Sequence, residues 1–261
     1  MYQLPTYEKL VALVEYQTPT SQKTITLKDG KYENGSGADY VSATMLPQFA
    51  FGDLNGDGIE DAAVLIGEND GGSGTFVCVY AIINQSRQPV QSGAALIDDR
   101  PNIKSLSIKD GRISVGALIH GFNDVMTNPT FAVTETYQLA QSGLKLVHFT
   151  SQTADGAERA IQMDGPASGA QVSGSVEVKG SISIAPFENT LGYLVDDDAG
   201  NNLDIGSFTV NAKTAGGPAT FDATIALPSD ASGKTVWLLL NDFNAADGST
   251  IVMEAIALNI K

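Results

Sequence analysis

Between Phe49 and Ile66 the chain reads as two short apolar segments joined by an acidic loop. Asp53, Asn55, Asp57 and Asp61 stand at positions 1, 3, 5 and 9 of that loop, with Gly58 at position 6. When such a loop curls, alternate residues project toward one centre. A hard cation is held by several oxygens, and this loop offers carboxylates, an amide and the backbone carbonyl of Ile59. Gly58 suits the sharp turn, where positive φ is costly for any residue with a Cβ. The spacing predicts a calcium (Ca2+) loop with Asp53, Asn55, Asp57, Ile59 and Asp61 as ligands. The plainer alternative is a solvated acidic turn built by Asx chemistry.

The flanks decide what the loop connects. An EF-hand places a bidentate Glu at position 12, but Val64 stands there. Phe49–Phe51 is short and aromatic, and Ala62–Ile66 is a compact apolar run suited to a buried strand. A strand–loop–strand follows, with Asp61 in the role of the missing Glu. Over nine residues the loop resembles the calcium loops of FG-GAP repeats, with Asn55 at the second ligand place. That resemblance implies a metal and no activity. A propeller of such blades is not expected, because the loop occurs once and repeats of ~40–50 residues would recur.

Charge and composition narrow the partners. The net charge is −15 over 261 residues, with acids in both halves. Such a surface repels phosphate backbones, so nucleic acid is not an expected partner. No apolar run approaches the ~18 residues of a membrane span. The single cysteine, Cys78, lies in an apolar strand-like segment with no basic flank, which reads as a small core residue. The opening Met1-Tyr2-Gln3-Leu4-Pro5 lacks the basic and apolar regions of a signal peptide. A weak single-loop calcium site fits millimolar extracellular calcium. The expected location is extracellular or the cell envelope, with an export signal trimmed away; the alternative is cytoplasmic.

The first half reads as α+β with an antiparallel sheet. Thr6–Tyr16 suits a short helix capped by Thr6, with Leu10, Leu13 and Val14 on one face. Thr24–Glu33 suits a hairpin turning at Asp29-Gly30, and Ile103–Ile119 another turning at Asp110-Gly111. Strands are also expected at Thr130–Leu139 and Leu144–Phe149. The segments Gly52–Gly58, Gly71–Phe76, Asp99-Arg100, Ile119-His120-Gly121 and Asn128-Pro129-Thr130 loosely resemble bacterial surface lipoproteins of unassigned activity. That resemblance implies an envelope location. The polar stretch Ser151–Glu158 reads as a linker, dividing domains at 1–155 and 160–261.

The second half alternates strand, Gly or Asp turn, and strand. Segments at 172–184, 191–195, 203–210, 221–227, 236–240 and 251–260 make about seven strands with their neighbours, which suits an immunoglobulin-like β-sandwich. The cysteine pair of antibody domains is missing, and Trp237 is the only Trp. Gly165-Pro166, Val172-x-Gly174, Val176-x-Val178-x-Gly180, Phe187-Glu188-Asn189-Thr190, Asp198-x-Gly200, Phe221 and Ala246-Asp247-Gly248-Ser249 resemble the immunoglobulin-like domain associated with bacterial spore germination proteins. The resemblance implies an extracellular adhesion or accessory role. The whole chain is therefore expected to be mostly β.

Catalysis has few candidates. His120 and His148 are the only histidines. His120 reads first as a hydrogen-bonded loop residue and His148 as structural. Asp196, Asp197 and Asp198 with Asp242 and Asp247 offer a second metal site, against the plainer reading as turn residues. The leading expectation is a non-enzymatic, exported calcium-binding protein of the bacterial envelope, with a glycan or protein as partner. The alternative is a hydrolase of envelope polysaccharide or peptide, using His120, Asp124 and Glu68.

Overall fold

The structure, a computed structural model, describes Leu10 and residues 12–261. The chain divides into two compact units. One runs up to Ala132 and includes Thr136–Lys145; the other comprises Val133–Glu135 and Leu146–Lys261.

In the first unit the strands are β1 (Glu15–Gln17), β2 (Thr24–Thr26), β3 (Lys31–Asn34), β4 (Val41–Gly52), β5 (Asp61–Asn69), β6 (Phe76–Gln85), β7 (Gln88–Asp99), β8 (Asn102–Lys109) and β9 (Arg112–Ile119). Strands β3-β4-β5-β6-β7 form one antiparallel sheet. β5 and β6 lie at its centre and are buried on both faces, which explains their unbroken apolar runs. On one face Leu10, Val14, Tyr16, Ile25 and Leu27 pack against Val64, Ile66, Cys78, Tyr80 and Ile82. The Tyr16 and Tyr80 rings meet edge to face with centroids 5.3 Å apart. β8 brings Ile108 against Gly52, where a Cβ would stand 2.5 Å from its side chain.

Two local expectations change here. Most of the predicted helix at 6–16 lies outside the described residues; Leu10, Ala12 and Leu13 are helical, but Glu15–Gln17 is strand β1. Leu13 does not share the buried face of Leu10 and Val14, being 62% exposed. β1 pairs with β2, so Thr24–Thr26 finds its partner upstream and β3 pairs with β4. The Asp29-Gly30 turn is present, with φ of 52° and 74°, but it closes only the bridge between Lys28 and Lys31. The β8–β9 hairpin forms as expected, with Asp110 and Gly111 at φ 50° and 72°.

The chain passes between units within β10 (Phe131–Ala140) and β11 (Gly143–Gln152), earlier than the boundary expected after 155. The predicted linker at 151–158 is instead a tight hairpin. Its second strand, β12 (Glu158–Arg159), pairs Ser151 with Arg159 and Gln152 with Glu158. Thr153 and Ala157 close the turn. Ser151 is buried, and its hydroxyl donates to the Ile251 carbonyl at 2.6 Å.

The second unit continues with β13 (Ile161–Gly165), β14 (Ala170–Val172), β15 (Ser175–Ile182), β16 (Thr190–Asp197), β17 (Asn202–Thr209), β18 (Asn211–Ala212), β19 (Ala219–Ala226), β20 (Thr235–Phe243) and β21 (Thr250–Ile260). One sheet orders β13-β15-β19-β18. The other includes β17-β16-β20-β21, with β14 parallel to β21. Alternate residues of both sheets fill one core: Val176, Val178 and Ile182 of β15, Phe221 and Ile225 of β19, and Leu191, Val195, Leu238, Leu240 and Ile256 from the opposing strands. This is the immunoglobulin-like sandwich expected from the strand count.

Gly180 marks the closest approach in this unit. A Cβ there would lie 2.0 Å from the Gln162 carbonyl oxygen and 2.6 Å from the Phe221 ring. Gly180→Ala is expected to cost about 1–3 kcal/mol, because neighbouring backbone must move. Thermal unfolding of the variant checks this; an unchanged midpoint would contradict the packing described.

Candidate functional site

The acidic loop of residues 53–60 connects β4 to β5 as a hairpin end, with Gly52 opposite Asp61 and Phe51 opposite Ala62. The expected strand–loop–strand is therefore present. Inside the loop, side-chain oxygens are fixed by backbone N–H groups. Asp53 accepts from Gly56 at 2.7 Å and from Gly58 at 2.8 Å. Asn55 Oδ1 accepts from Asp57 N–H at 3.0 Å, and Asp57 Oδ1 accepts from Ile59 N–H at 2.8 Å. Asn55 Nδ2 donates to Asp57 Oδ2 at 3.0 Å. Gly56 and Gly58 both hold positive φ, 80° and 79°, which lets the chain turn these N–H groups inward.

Asp61 differs from the other acids. It is fully buried as the first residue of β5, and each carboxylate oxygen accepts one backbone N–H. Leu54 donates to Oδ2 at 2.8 Å, and Asn84, at the end of β6, donates to Oδ1 at 2.9 Å. The residue thus ties the loop's start to the sheet. Burial pushes its pKa up, the two N–H bonds oppose this, and the charges of Asp57 and Asp53 add to the rise. The Gly58 N–H leads the effects that hold Asp53 below the ordinary carboxylate range.

The five residues named from the spacing therefore lie in one hairpin end. Asp53, Asn55 and Asp57 face their own loop, Ile59 is exposed at its tip, and Asp61 sits beneath. Their carboxylates are turned onto backbone donors, and among the described residues no three Asp, Glu, His or Cys side chains converge as a metal-holding group. The donor set fits calcium in kind. Each carboxylate oxygen bonded to a single N–H retains a second lone pair, and Asn55 and Asp57 are exposed.

The side chains named for hydrolysis bond to other groups and not to one another. His120 Nδ1 lies 2.8 Å from Asp98 Oδ2, an atom that also accepts the His120 backbone N–H at 2.7 Å. Its Nε2 is enclosed by protein atoms. Asp124 is spent on its own loop, accepting from Gly121 N–H, Thr130 N–H and the Thr130 hydroxyl. Glu68 is buried inside the sheet, where it accepts hydrogen bonds from the hydroxyls of Thr20 and Tyr80. Neither Asp98 nor the Asn84 N–H was identified from the sequence. Each reaches its partner across more than 20 residues with no spacing signature.

Cys78 is fully buried. Burial, then the neighbouring Glu68 carboxyl, pushes its thiol well above the ordinary range, so it remains protonated and inert. His148 stands opposite Glu254 on the neighbouring strand. In the sandwich, Asp197 caps a turn by accepting from Asn201, Asp198 accepts the Trp237 indole N–H at 3.1 Å, and Asp247 binds Ser249. Asp197 pairs with Val236, six residues along β20 from Asp242. At strand rise that separates the two acidic groups by about 20 Å, so they do not form one metal site. Asp197 and Asp247 serve turns, Asp198 holds the Trp237 indole, and Asp242 lies on β20.

The second unit is thus an immunoglobulin-like β-sandwich. Residues 160–249 match the family model of the immunoglobulin-like domain of bacterial spore germination. The match lies within this unit and does not reach the acidic loop. No curated protein matches the chain. Among the described residues no helix is long and apolar enough to cross a membrane.

Proposed function

We propose that this is a non-enzymatic, calcium-binding protein of the bacterial cell envelope, in which the loop of residues 53–61 takes one Ca2+ and the sandwich serves a binding or accessory role toward an envelope glycan or protein. One observation carries the calcium reading. Three carboxylates and an amide occupy one hairpin end, close enough for Asp53 and Asp57 to raise the pKa of buried Asp61. A divalent cation relieves that repulsion, with Asp53, Asn55, Asp57, Asp61 and the Ile59 carbonyl as its ligands. The ion would stiffen the β4–β5 connection, and residues 50–75 would be looser without it. The engagement of His120, Asp124 and Glu68 in separate local networks favours binding over hydrolysis. The match to a bacterial spore germination domain supports an accessory role outside the cytoplasm.

Calorimetric titration of chelator-treated protein with CaCl2 tests the reading. One site is expected, with a dissociation constant of roughly 10⁻⁶ to 10⁻³ M, lost in Asp57→Ala. Absence of heat in the wild type, with no metal retained after dialysis against calcium, would leave the loop as an acidic turn and remove the main support for an extracellular setting.

A further inference from the structure

We propose that the crevice where the edge of β7 meets the β1–β2 turn and the β10–β11 turn is a binding site for an uncharged saccharide. The crevice has a volume of about 630 Å³, within the range of small-molecule sites. Its lining residues all belong to the first unit, and none lies in the acidic loop. The site therefore rests neither on the calcium reading nor on the role given to the sandwich.

Specific contacts build the walls. β7 is an edge strand of its sheet. At Gln91 that edge is clasped by β1: Gln91 Oε1 accepts the Gln17 N–H at 2.7 Å, and Gln91 Nε2 donates to the Gln17 carbonyl at 3.1 Å. At Gly93 it meets the β10–β11 turn so closely that a Cβ would lie 2.5 Å from the Leu144 nitrogen. Ser92 lies between the two as a bulge. Gln91 pairs with Ile82 and Gly93 with Ala81, which leaves Ser92 without a counterpart on β6. Such a bulge re-aims a side chain. Another wall is the β1–β2 turn, where the Thr18 N–H donates to the Lys23 carbonyl at 3.0 Å and the Lys23 N–H donates to the Thr18 hydroxyl at 3.1 Å. Gln22 is held in this turn at φ 54°, a strained conformation for a residue with a Cβ.

The chemistry of the lining selects the ligand. Gln17 accepts the Thr24 hydroxyl at Oε1 and keeps both N–H groups of its carboxamide. The Gln22 carboxamide and the Ser92 hydroxyl have no hydrogen-bond partner among the described residues. These uncharged donors and acceptors match sugar hydroxyls, which both donate and accept. Pro19, Ala94 and Leu144 add small apolar surface for the C–H groups of a sugar ring. Among the described lining residues Glu15 carries the one charge, and no Lys, Arg or His stands with it. An anionic ligand would thus meet no counter-charge and a net charge of −15. A peptide added as a strand along β7 would collide with the clasp at Gln91 and the turn at Gly93. An uncharged mono- or disaccharide suits both the size and the polarity.

The native protein is titrated with N,N′-diacetylchitobiose and, separately, with maltose, and its backbone amide signals are followed by nuclear magnetic resonance. Saturable shifts at residues 17–22 and 91–94 are expected with at least one of the sugars. The expected dissociation constant is on the order of 10⁻³ M, because no aromatic ring stands among the described lining residues to stack on a sugar. Ser92→Trp fills the crevice and is expected to weaken binding at least about tenfold. Gln22→Gly removes a carboxamide and relieves the left-handed strain, so it should fold with an undiminished unfolding midpoint and bind about threefold or more weakly. That variant decides the matter if Ser92→Trp fails to fold. The proposal is overturned if neither sugar gives a saturable shift up to about 20 mM, or if Gln22→Gly binds as tightly as the wild type. Binding of an uncharged Ser/Thr peptide at the same residues, with neither sugar bound, would also overturn it and assign the crevice to strand addition.

Discussion

Asp61→Ala is expected to destabilise the first unit by about 2–4 kcal/mol, because it strands two backbone N–H groups that have no water to turn to. Asp61 is fully buried, and Leu54 and Asn84 each donate to one of its oxygens. The first of those donors opens the acidic loop, and the second ends the neighbouring strand. Loss of the carboxylate therefore frees the loop from β6 as well as lowering the unfolding midpoint. Asp61→Asn keeps one acceptor oxygen and turns an NH2 group toward the other donor, so its cost should fall between wild type and Ala. The pH dependence has a defined sign. The folded pKa of Asp61 is raised from the ordinary 3.8, mainly by burial. The stability from its titration is present below that ordinary value and is lost as the pH rises through the raised one. The gap between wild type and Asp61→Ala should narrow over that rise, in metal-free buffer. Urea unfolding at several pH values measures it. A variant as stable as wild type at every pH would show that the two N–H groups find other partners.

The same residue shows how far the sequence could be read. Its place in the 1, 3, 5, 9 spacing of the acidic loop was plain, and so was the strand after it, because Ala62–Ile66 is apolar without a break. Its burial was not, since an aspartate among loop acids carries no mark of which way it faces. The general pattern is that local chemistry is legible and distant pairing is not. Asp110-Gly111 announced its hairpin because both residues must take positive φ in the turn that matches strand twist. Asp29-Gly30 sent the same signal correctly, yet β2 pairs upstream with β1. β1 itself was hidden under a helical pattern. Leu10 and Val14 are spaced for a helix, and Tyr16 is the only buried apolar residue in a three-residue strand. Ser151–Glu158 is polar because it forms an exposed turn, and composition alone does not separate a turn from a linker. In the sandwich, by contrast, Phe221, Ala223, Ile225 and Leu227 alternate cleanly, and that regular period made its fold class readable.

Glu68→Ala is expected to cost about 2–4 kcal/mol, the other large loss in the first unit. Glu68 lies two positions beyond Ile66 on the same face of β5, where continued alternation would call for an apolar side chain. It accepts hydrogen bonds there from the hydroxyls of Tyr80 and Thr20. Tyr80 is fully buried, and burial followed by the Glu68 carboxyl keeps its phenol protonated as a donor. Removing Glu68 leaves that hydroxyl without its acceptor in the core and opens a void beside it. Thr20 sits in the turn between β1 and β2, so the same substitution releases that hairpin from the central sheet. The expected signature is a lowered unfolding midpoint together with faster hydrogen exchange in residues 15–26. Glu68→Gln retains an acceptor oxygen and should recover more than half of the loss. If Glu68→Ala and Glu68→Gln proved equally stable, the carboxyl would not be what anchors the hairpin, and the apolar contacts of Tyr16 and Ile25 with the Gln17–Gln91 hydrogen bonds would hold it.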